Sequence, residues 1–315
     1  MPPPLGGVST FMHRHVAELR RRGVPHSVRD WVKMSPSERA LFFARLLTDP
    51  RRLRLEFNAY ETWAMLAVVL RPWPSRVLLR VHSGGPESRL SPGRQWLYRR
   101  FLRRVDETVL VGPHVRDVLE GAGFIVPEPS RIEPAFIAPP EEDEAPILAT
   151  YAAEGRDFLC RSPLMVMQGS DGFVDGVDIY GADLAVELLL EIRREHPEAG
   201  LVIGRPTAGD AAFQAYCRRL DERIAQAGAT GAVWILDGER ELWPAIKAAD
   251  LFLRPTLSDG DSIGVREALH FGIPVVASDA APRPDSVHLF PSRSLEGLVQ
   301  AVRKVLSQSE VGACS

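Results

Sequence analysis

The sequence predicts an α/β protein built as two Rossmann-like domains facing across a cleft. Three observations lead there. Short runs of Val, Ile and Leu alternate with longer stretches of helical period, the pattern of parallel sheets covered by helices on both faces. The composition breaks at Ala138-Pro-Pro-Glu-Glu-Asp-Glu-Ala-Pro146, and the same alternation then starts again. The charge divides at the same place. Residues 1–139 carry 22 Lys+Arg against 13 Asp+Glu (+9), and residues 140–315 carry 16 against 28 (−12), for a net −3. The expected domains are 1–145 and 146–315.

In the first half, Val8, Phe11, Met12, Val16 and Leu19 fall on one helical face, and Gly23 can close that helix in the left-handed conformation. Arg76–Val81 and Thr108–Val111 read as strands. The second runs into Gly112-Pro113 and a helix through Leu119, with Pro at its first position. A Rossmann-like domain ordinarily opens on a buried strand. Met1 instead directly precedes Pro2-Pro3-Pro4, so the N-terminal sheet is expected to lack its first strand. In the second half, Leu164–Met167, Gly200–Ile203, Val233–Leu236, Asp250–Arg254 and Pro274–Ser278 read as five strands. Helices are expected at 182–195, 211–227, 241–248, 262–271 and 294–307, a complete doubly wound unit. Trp31, Trp63, Trp73, Trp96, Trp234 and Trp243 read as core.

Several classes fall away. The longest apolar run, Trp63–Leu70, is eight residues, too few to cross a bilayer. The N-terminus lacks the plan of a secretory signal, and three cysteines are too few for a disulfide framework or a zinc site, so the chain reads as cytoplasmic. His13 and His15 are two apart and do not share a helical face, so no metal is expected there. Ser170 and Ser262 lack the glycine-flanked elbow of a hydrolase. Gly204-Arg205-Pro206 lacks the spacing of a dinucleotide fingerprint. The arginine clusters 20–22, 51–54 and 99–104 read either as solvated helix faces or as a surface for anionic lipid or a phosphorylated acceptor. No nucleic-acid-binding motif accompanies them.

The most informative stretch runs from Asp250 to Asp279: a buried strand, a small polar loop, a helix and a second buried strand. The loop sits at the carboxyl end of its strand, where open parallel sheets bind ligands. Asp261 or Ser262 can cap the helix, Gly272 can end it, and Pro274 prevents its continuation. Gly260 and Gly264 allow a ligand close to the backbone, and the free N–H groups of the first turn suit anionic or hydroxyl oxygens. Asp259 and Glu267 are eight residues apart, placed to hold hydroxyls at opposite ends of an elongated ligand.

This stretch resembles the carboxylate-x7-carboxylate signature of the family-4 (group 1) retaining glycosyltransferases, which have the GT-B fold. Asp259-Gly260-Asp261-Ser262 stands where the common form has Glu-Gly-Phe-Gly, a variant of bacterial capsule and exopolysaccharide transferases. Pro2-Pro-Pro-Leu-Gly6-Gly7-Val-Ser9 is similar to the family's glycine loop, and Asp178–Leu184 and Leu289-Phe-Pro extend the likeness. The resemblance implies transfer of a sugar from a nucleotide-sugar donor, with retained configuration and no metal or other cofactor, to a glycan or lipid-linked acceptor of surface polysaccharide synthesis. The basic half would allow peripheral contact with an anionic membrane; no nucleic-acid partner is expected. Asp259, Glu267 and His82 are the implied catalytic residues. Asp259 would orient the sugar, Glu267 would grip the ribose, and His82 would bond a donor hydroxyl or the acceptor. Gly6, Gly7, Arg254, Gly260, Asp261, Ser262 and Ile263 join Glu267 as donor-binding candidates.

One departure stands out. The family places an Arg and then a Lys after the first strand of its second domain, to neutralise the diphosphate, whereas Met167–Gly176 holds no basic residue. Arg254 and Arg266 are the nearest substitutes, and Arg254's alternative role is an ion pair with Asp259 or Asp261. The departure keeps open a second reading, a catalytically inactive GT-B binding or regulatory protein.

Overall fold

The computed structural model describes residues 7–31, 34–83, 87, 89–174, 176–205, 209–238 and 240–313. The chain forms two compact units, one of Phe11–Ala135 and one of Phe136–Ser315, with the described residues 7–10 grouped with the second. Gly6 and the prolines before it lie outside the described residues.

Helix α1 (Gly7–Arg21) has its first four residues, through Thr10, grouped with the second unit and the rest with the first, where it buries Phe11 and Val16. Gly23 ends it at φ +63, where its N–H reaches Arg20 O at 3.0 Å and the Val24 N–H reaches Leu19 O at 3.0 Å. Helix α2 (Pro36–Thr48) starts in a capping box: Ser35 N–H donates to Glu38 Oε2 at 2.7 Å and Glu38 N–H donates to Ser35 Oγ at 3.3 Å. The strands β1 (Leu53–Phe57), β2 (Ser75–Val81), β3 (Glu107–Leu110) and β4 (Ser130–Ile132) pair in that order, all parallel. Helices α3 (Thr62–Leu70), α4 (Pro92–Leu102) and α5 (Pro113–Gly121) accompany them, the last with Pro113 at its start as expected.

Strands β2 and β3 lie where the apolar runs placed them; β1 and β4 were not expected. Both are edge strands. In β1, Arg54 and Glu56 alternate with half-buried residues, so its pattern is that of a partly solvated surface, and the Arg51–Arg54 cluster masks it.

The second unit is a doubly wound sheet of six parallel strands in the order β12-β11-β10-β5-β8-β9. These are β5 (Leu164–Gln168), β8 (Gly200–Arg205), β9 (Val233–Asp237), β10 (Leu251–Arg254), β11 (Val275–Ser278) and β12 (His288–Phe290). A small antiparallel pair, β6 (Phe173–Val174) and β7 (Val177–Asp178), stands apart. The helices are α6 (Glu144–Leu148), α7 (Ala153–Phe158), α8 (Ala182–Ile192), α9 (Ala211–Gln226), α10 (Trp243–Lys247), α11 (Ile263–His270) and α12 (Leu295–Ala313).

All five expected strands and all five expected helices are present. The additions, β12, the 173–178 hairpin and the short helices α6 and α7, are too short to carry a period. Each sheet face buries its own apolar cluster. Leu188, Leu201, Leu253 and Val302 lie in one, and Leu164, Val202, Phe252 and Val275 in the other.

The tryptophans need correction. Trp243 is fully buried, but Trp63, Trp73 and Trp96 are exposed. Apolar character alone does not place an aromatic in the core: α3 buries Ala64, Met65, Ala67 and Val68 and leaves Trp63 on a face that no described neighbour covers.

Candidate functional site

The strand order reverses between β5 and β10. From β5 the chain winds outward through β8 and β9, then returns to build β10, β11 and β12 on the other side. Ligands of doubly wound sheets sit outside the carboxyl ends of the strands at such a switch point. Here those ends are Gln168 and Arg254, and the loop 255–262 leaves from the second.

Arg254 and Asp259 form the centre of this loop. Arg254 donates from Nε to Asp259 Oδ2 at 2.8 Å and from Nη2 to Oδ1 at 2.9 Å, a bidentate pair. Arg283, in the proline-flanked segment after β11, donates from Nη1 to Oδ2 at 2.7 Å, and the Gly260 N–H donates to Oδ1 at 3.1 Å. The four donors fill the lone-pair directions a carboxylate offers. Side-chain exposures of 7% for Arg254, 9% for Asp259 and 2% for Arg283 put the cluster out of bulk water. Burial would raise the Asp259 carboxyl, but Arg254 and then Arg283 outweigh it and hold it below the usual carboxylate range.

The arginines have donors beyond this carboxylate. Arg254 reaches Gln168 O through Nη1 at 3.4 Å, and its guanidinium lies over the Tyr180 ring at 5.1 Å. Among the described residues, Nε and Nη2 of Arg283 are buried with no hydrogen-bond partner. The positive charge that the sequence lacks after β5 is thus brought to the end of β5 from β10, with Arg283 arriving on the same carboxylate. Arg283 was missed by sequence reasoning. Its only signal was an arginine set between Pro282 and Pro284 just beyond a strand's carboxyl end.

The loop is held from below. Gly181 has φ +75, and a Cβ on it would sit 2.4 Å from Pro255 O. The Leu257 N–H donates to Ile179 O at 2.8 Å, and the Thr256 hydroxyl donates to the same oxygen at 2.7 Å. Asp178, within the segment that carried part of the resemblance, is buried and accepts from Tyr180 N–H and Ala182 N–H, both at 2.8 Å, and from the Tyr216 hydroxyl at 3.0 Å. It anchors the start of α8.

The remaining candidates divide. Ser262 caps α11, its Oγ accepting from Val265 N–H at 3.4 Å, while Asp261 pairs with Arg266 Nε at 2.8 Å. Gly260's amide is occupied by Asp259. Gly264 does not open the backbone to a ligand as expected: a Cβ there would lie 2.7 Å from Phe252 Cζ, so this glycine lets α11 pack closely on β10. Ile263 is buried, and a Cβ on Gly7, the first residue of α1, would lie 3.8 Å from its Cγ1.

Glu267 is buried on α11, close enough to Tyr151 that its charge adds to burial and to Glu241 in pushing that phenol up. His82, in the first unit, ends β2 with Nε2 3.4 Å from Asn58 Oδ1 and its ring edge-on to Phe11 at 5.6 Å. Burial, and then Arg80, depress its pKa to about 4 against the opposing pull of Glu56, so the ring is neutral. His15 Nε2 lies 3.4 Å from Glu56 Oε2. Among the described residues, no group of three or more His, Cys, Asp or Glu side chains could hold a metal ion.

This architecture is the GT-B fold of the glycosyltransferases. HepE of Anabaena, solved with UDP and glucose, matches at a TM-score of 0.67 and 13% identity over 94% of this chain and 80% of its own. A glycosyltransferase of Rickettsia africae ESF-5 matches at 0.63 and 12% identity over 96% and 83%. The family model "Glycosyl transferases group 1" matches residues 173–308 of the chain. The lipopolysaccharide core biosynthesis mannosyltransferase LpsB of Rhizobium meliloti (strain 1021) is 31% identical over 100 residues. That match spans 31% of this chain and 28% of LpsB.

Proposed function

We propose that this protein is a retaining, metal-independent glycosyltransferase that moves a sugar from a nucleotide-sugar donor to a glycan or lipid-linked acceptor in bacterial surface polysaccharide synthesis. The observation that carries the reading is the arginine pair on Asp259 at the switch point. In the transfer, the bond between the anomeric carbon and the phosphate oxygen breaks, the acceptor oxygen bonds to that carbon on the vacated side, and the acceptor hydroxyl's proton passes to the leaving phosphate oxygen. The departing diphosphate gains negative charge. Arg254, the unspent donors of Arg283 and the first turn of α11 would meet that charge, and preorganised donors of this kind are commonly the largest catalytic contribution.

Asp259 has no lone pair left for a sugar hydroxyl, so we assign it as a positioning residue that sets both guanidiniums. Glu267 is proposed to hold the ribose, and His82, neutral in the working pH range, to bond a hydroxyl of donor or acceptor. The mannosyltransferase relative supports the surface-glycan role.

The test is incubation with a panel of nucleotide sugars, following nucleotide release and product. Glu267→Ala should abolish donor binding. Arg283→Met should weaken the nucleoside diphosphate by about tenfold or more while leaving the nucleoside alone unchanged, since only the phosphates lose a partner. Equal loss for both ligands would remove Arg283 from the phosphate site. The absence of a basic residue in 167–176 favours one competing reading, a binding protein without turnover. Nucleotide binding with no product across the panel would select it.

A further inference from the structure

We propose that Tyr180 is a positioning residue of the transfer site: its ring holds the Arg254 guanidinium in the orientation that meets the donor's diphosphate. What the held guanidinium acts on rests on the transferase reading above; the ring contact itself does not. Hydrogen bonds fix Arg254 within its own plane. Nε and Nη2 are on Asp259 at 2.8 and 2.9 Å, and Nη1 reaches Gln168 O at 3.4 Å. A guanidinium has five N–H groups, so among the described residues these bonds leave two for a ligand. Bonds in the plane do not stop the group from tilting out of it. The Tyr180 ring supplies that restraint, with Arg254 Cζ over it at 5.1 Å from the centroid.

The segment between β5 and α8 places the ring. The Ile179 N–H donates to Gly172 O at 2.8 Å, and the Tyr180 N–H donates to Asp178 Oδ1 at 2.8 Å. Asp178 is itself fixed by the Tyr216 hydroxyl, and Phe173 of the hairpin packs on the Tyr216 ring at 5.3 Å. A Cβ on Gly172 would stand 2.6 Å from Ile179 Cγ1 and 2.7 Å from Tyr180 Cε2, so the backbone at 172 lies directly against the ring. Residues 167–176 carry no cation of their own. Through Tyr180 this segment acts instead on the cation that β10 brings. The ring is half-buried and Arg254 is buried, a setting in which cation–π attraction exceeds its value in open water. A ring that only fills space would be replaced equally well by any apolar side chain of similar length.

The experiment is calorimetric titration of the full chain with UDP, GDP and ADP and with the corresponding nucleosides. For the diphosphate that binds, Tyr180→Leu should weaken affinity about fivefold while the nucleoside stays within about twofold of the parent, because only the phosphates meet the loosened guanidinium. Tyr180→Phe keeps the ring and should recover most of the loss. A second measurement uses no ligand. A double-mutant cycle of Tyr180→Leu and Arg254→Met, followed by urea unfolding, should show the two side chains coupled by about threefold or more in the unfolding constant. Circular dichroism checks that each variant folds. The proposal is overturned by an unchanged diphosphate affinity in Tyr180→Leu, by equal weakening of diphosphate and nucleoside, or by a Tyr180→Phe that loses as much as Tyr180→Leu. A cycle coupled by less than about twofold overturns it as well. A parent that binds none of the diphosphates removes the transferase reading and this role with it, and the cycle then still tells whether ring and guanidinium interact.

Discussion

Replacing Asp259 with Asn removes one negative charge from between two buried arginines. The carboxylate accepts three guanidinium hydrogen bonds at 2.7–2.9 Å and one backbone bond at 3.1 Å. An amide has one acceptor oxygen and turns its NH2 toward a guanidinium, so about half of these bonds are lost and two like charges are left without a counter-ion. Breaking a buried pair in this way costs about 3–5 kcal/mol. For a unit of this size that corresponds to a fall in Tm of roughly 6–15 °C.

The parent should also show the linkage expected of a carboxyl held low. Its stabilisation is complete above the ordinary carboxylate pKa of about 4 and is lost as the pH falls through the depressed folded value. Asp259→Asn should lack this contribution to acid sensitivity. Urea and thermal unfolding measure the first quantity, and unfolding as a function of pH the second.

A phosphate-binding role adds a third measurement. A nucleoside diphosphate should raise the Tm of Asp259→Asn by more than it raises that of the parent, because the ligand restores the missing negative charge. A stability loss under about 1 kcal/mol would mean that water already satisfies the arginines, and the buried-cluster reasoning would fail. An equal or smaller nucleotide-induced shift in the variant would separate the cluster from the phosphates.

Two further outcomes follow from the same structure. Gly264→Ala should gain up to about 1 kcal/mol of helix propensity but lose about 1–3 to the clash with the fully buried Phe252 ring, for a net loss of up to about 2 kcal/mol by urea unfolding. Phe252→Leu in the same chain should recover part of it, and a stabilised Gly264→Ala would refute the close approach. His82, with a folded pKa of about 4 against an ordinary 6.5, contributes full stability above pH 6.5. It should lose up to about 3 kcal/mol as the pH falls from there to about 4, because the unfolded chain takes the proton first. Proton NMR of the ring gives the pKa directly, and a midpoint near 6.5 would refute its burial.

The chain's own pattern determined the second unit almost completely. Buried parallel strands such as Leu164–Met167 are continuous apolar runs, and each is followed by a helix with its own start and stop residues, so local chemistry and final position coincide. The same holds for the cap at Ser262 and the stop at Gly272, whose causes lie within a few residues. What failed locally were the edges. Strand β1 alternates charge with apolar residues, and β12 and the 173–178 hairpin are too short to show a period. The acids of the loop were visible as well, together with Arg254 as a partner for Asp259.

Only the tertiary structure decided what those acids touch. Arg283 is 24 residues from Asp259, and it reaches the carboxylate because β11 lies next to β10 in the sheet. Gly264 could be read as room for a ligand until the Phe252 ring was seen beneath it. Trp63 and Trp96 looked like core until α3 and α4 were placed, because hydrophobicity sets what a side chain prefers but not which face of its helix finds a partner. Sequence encodes preferences that act over a few residues; the pairing of a charge, the filling of a gap and the exposure of a face depend on residues brought together from far along the chain.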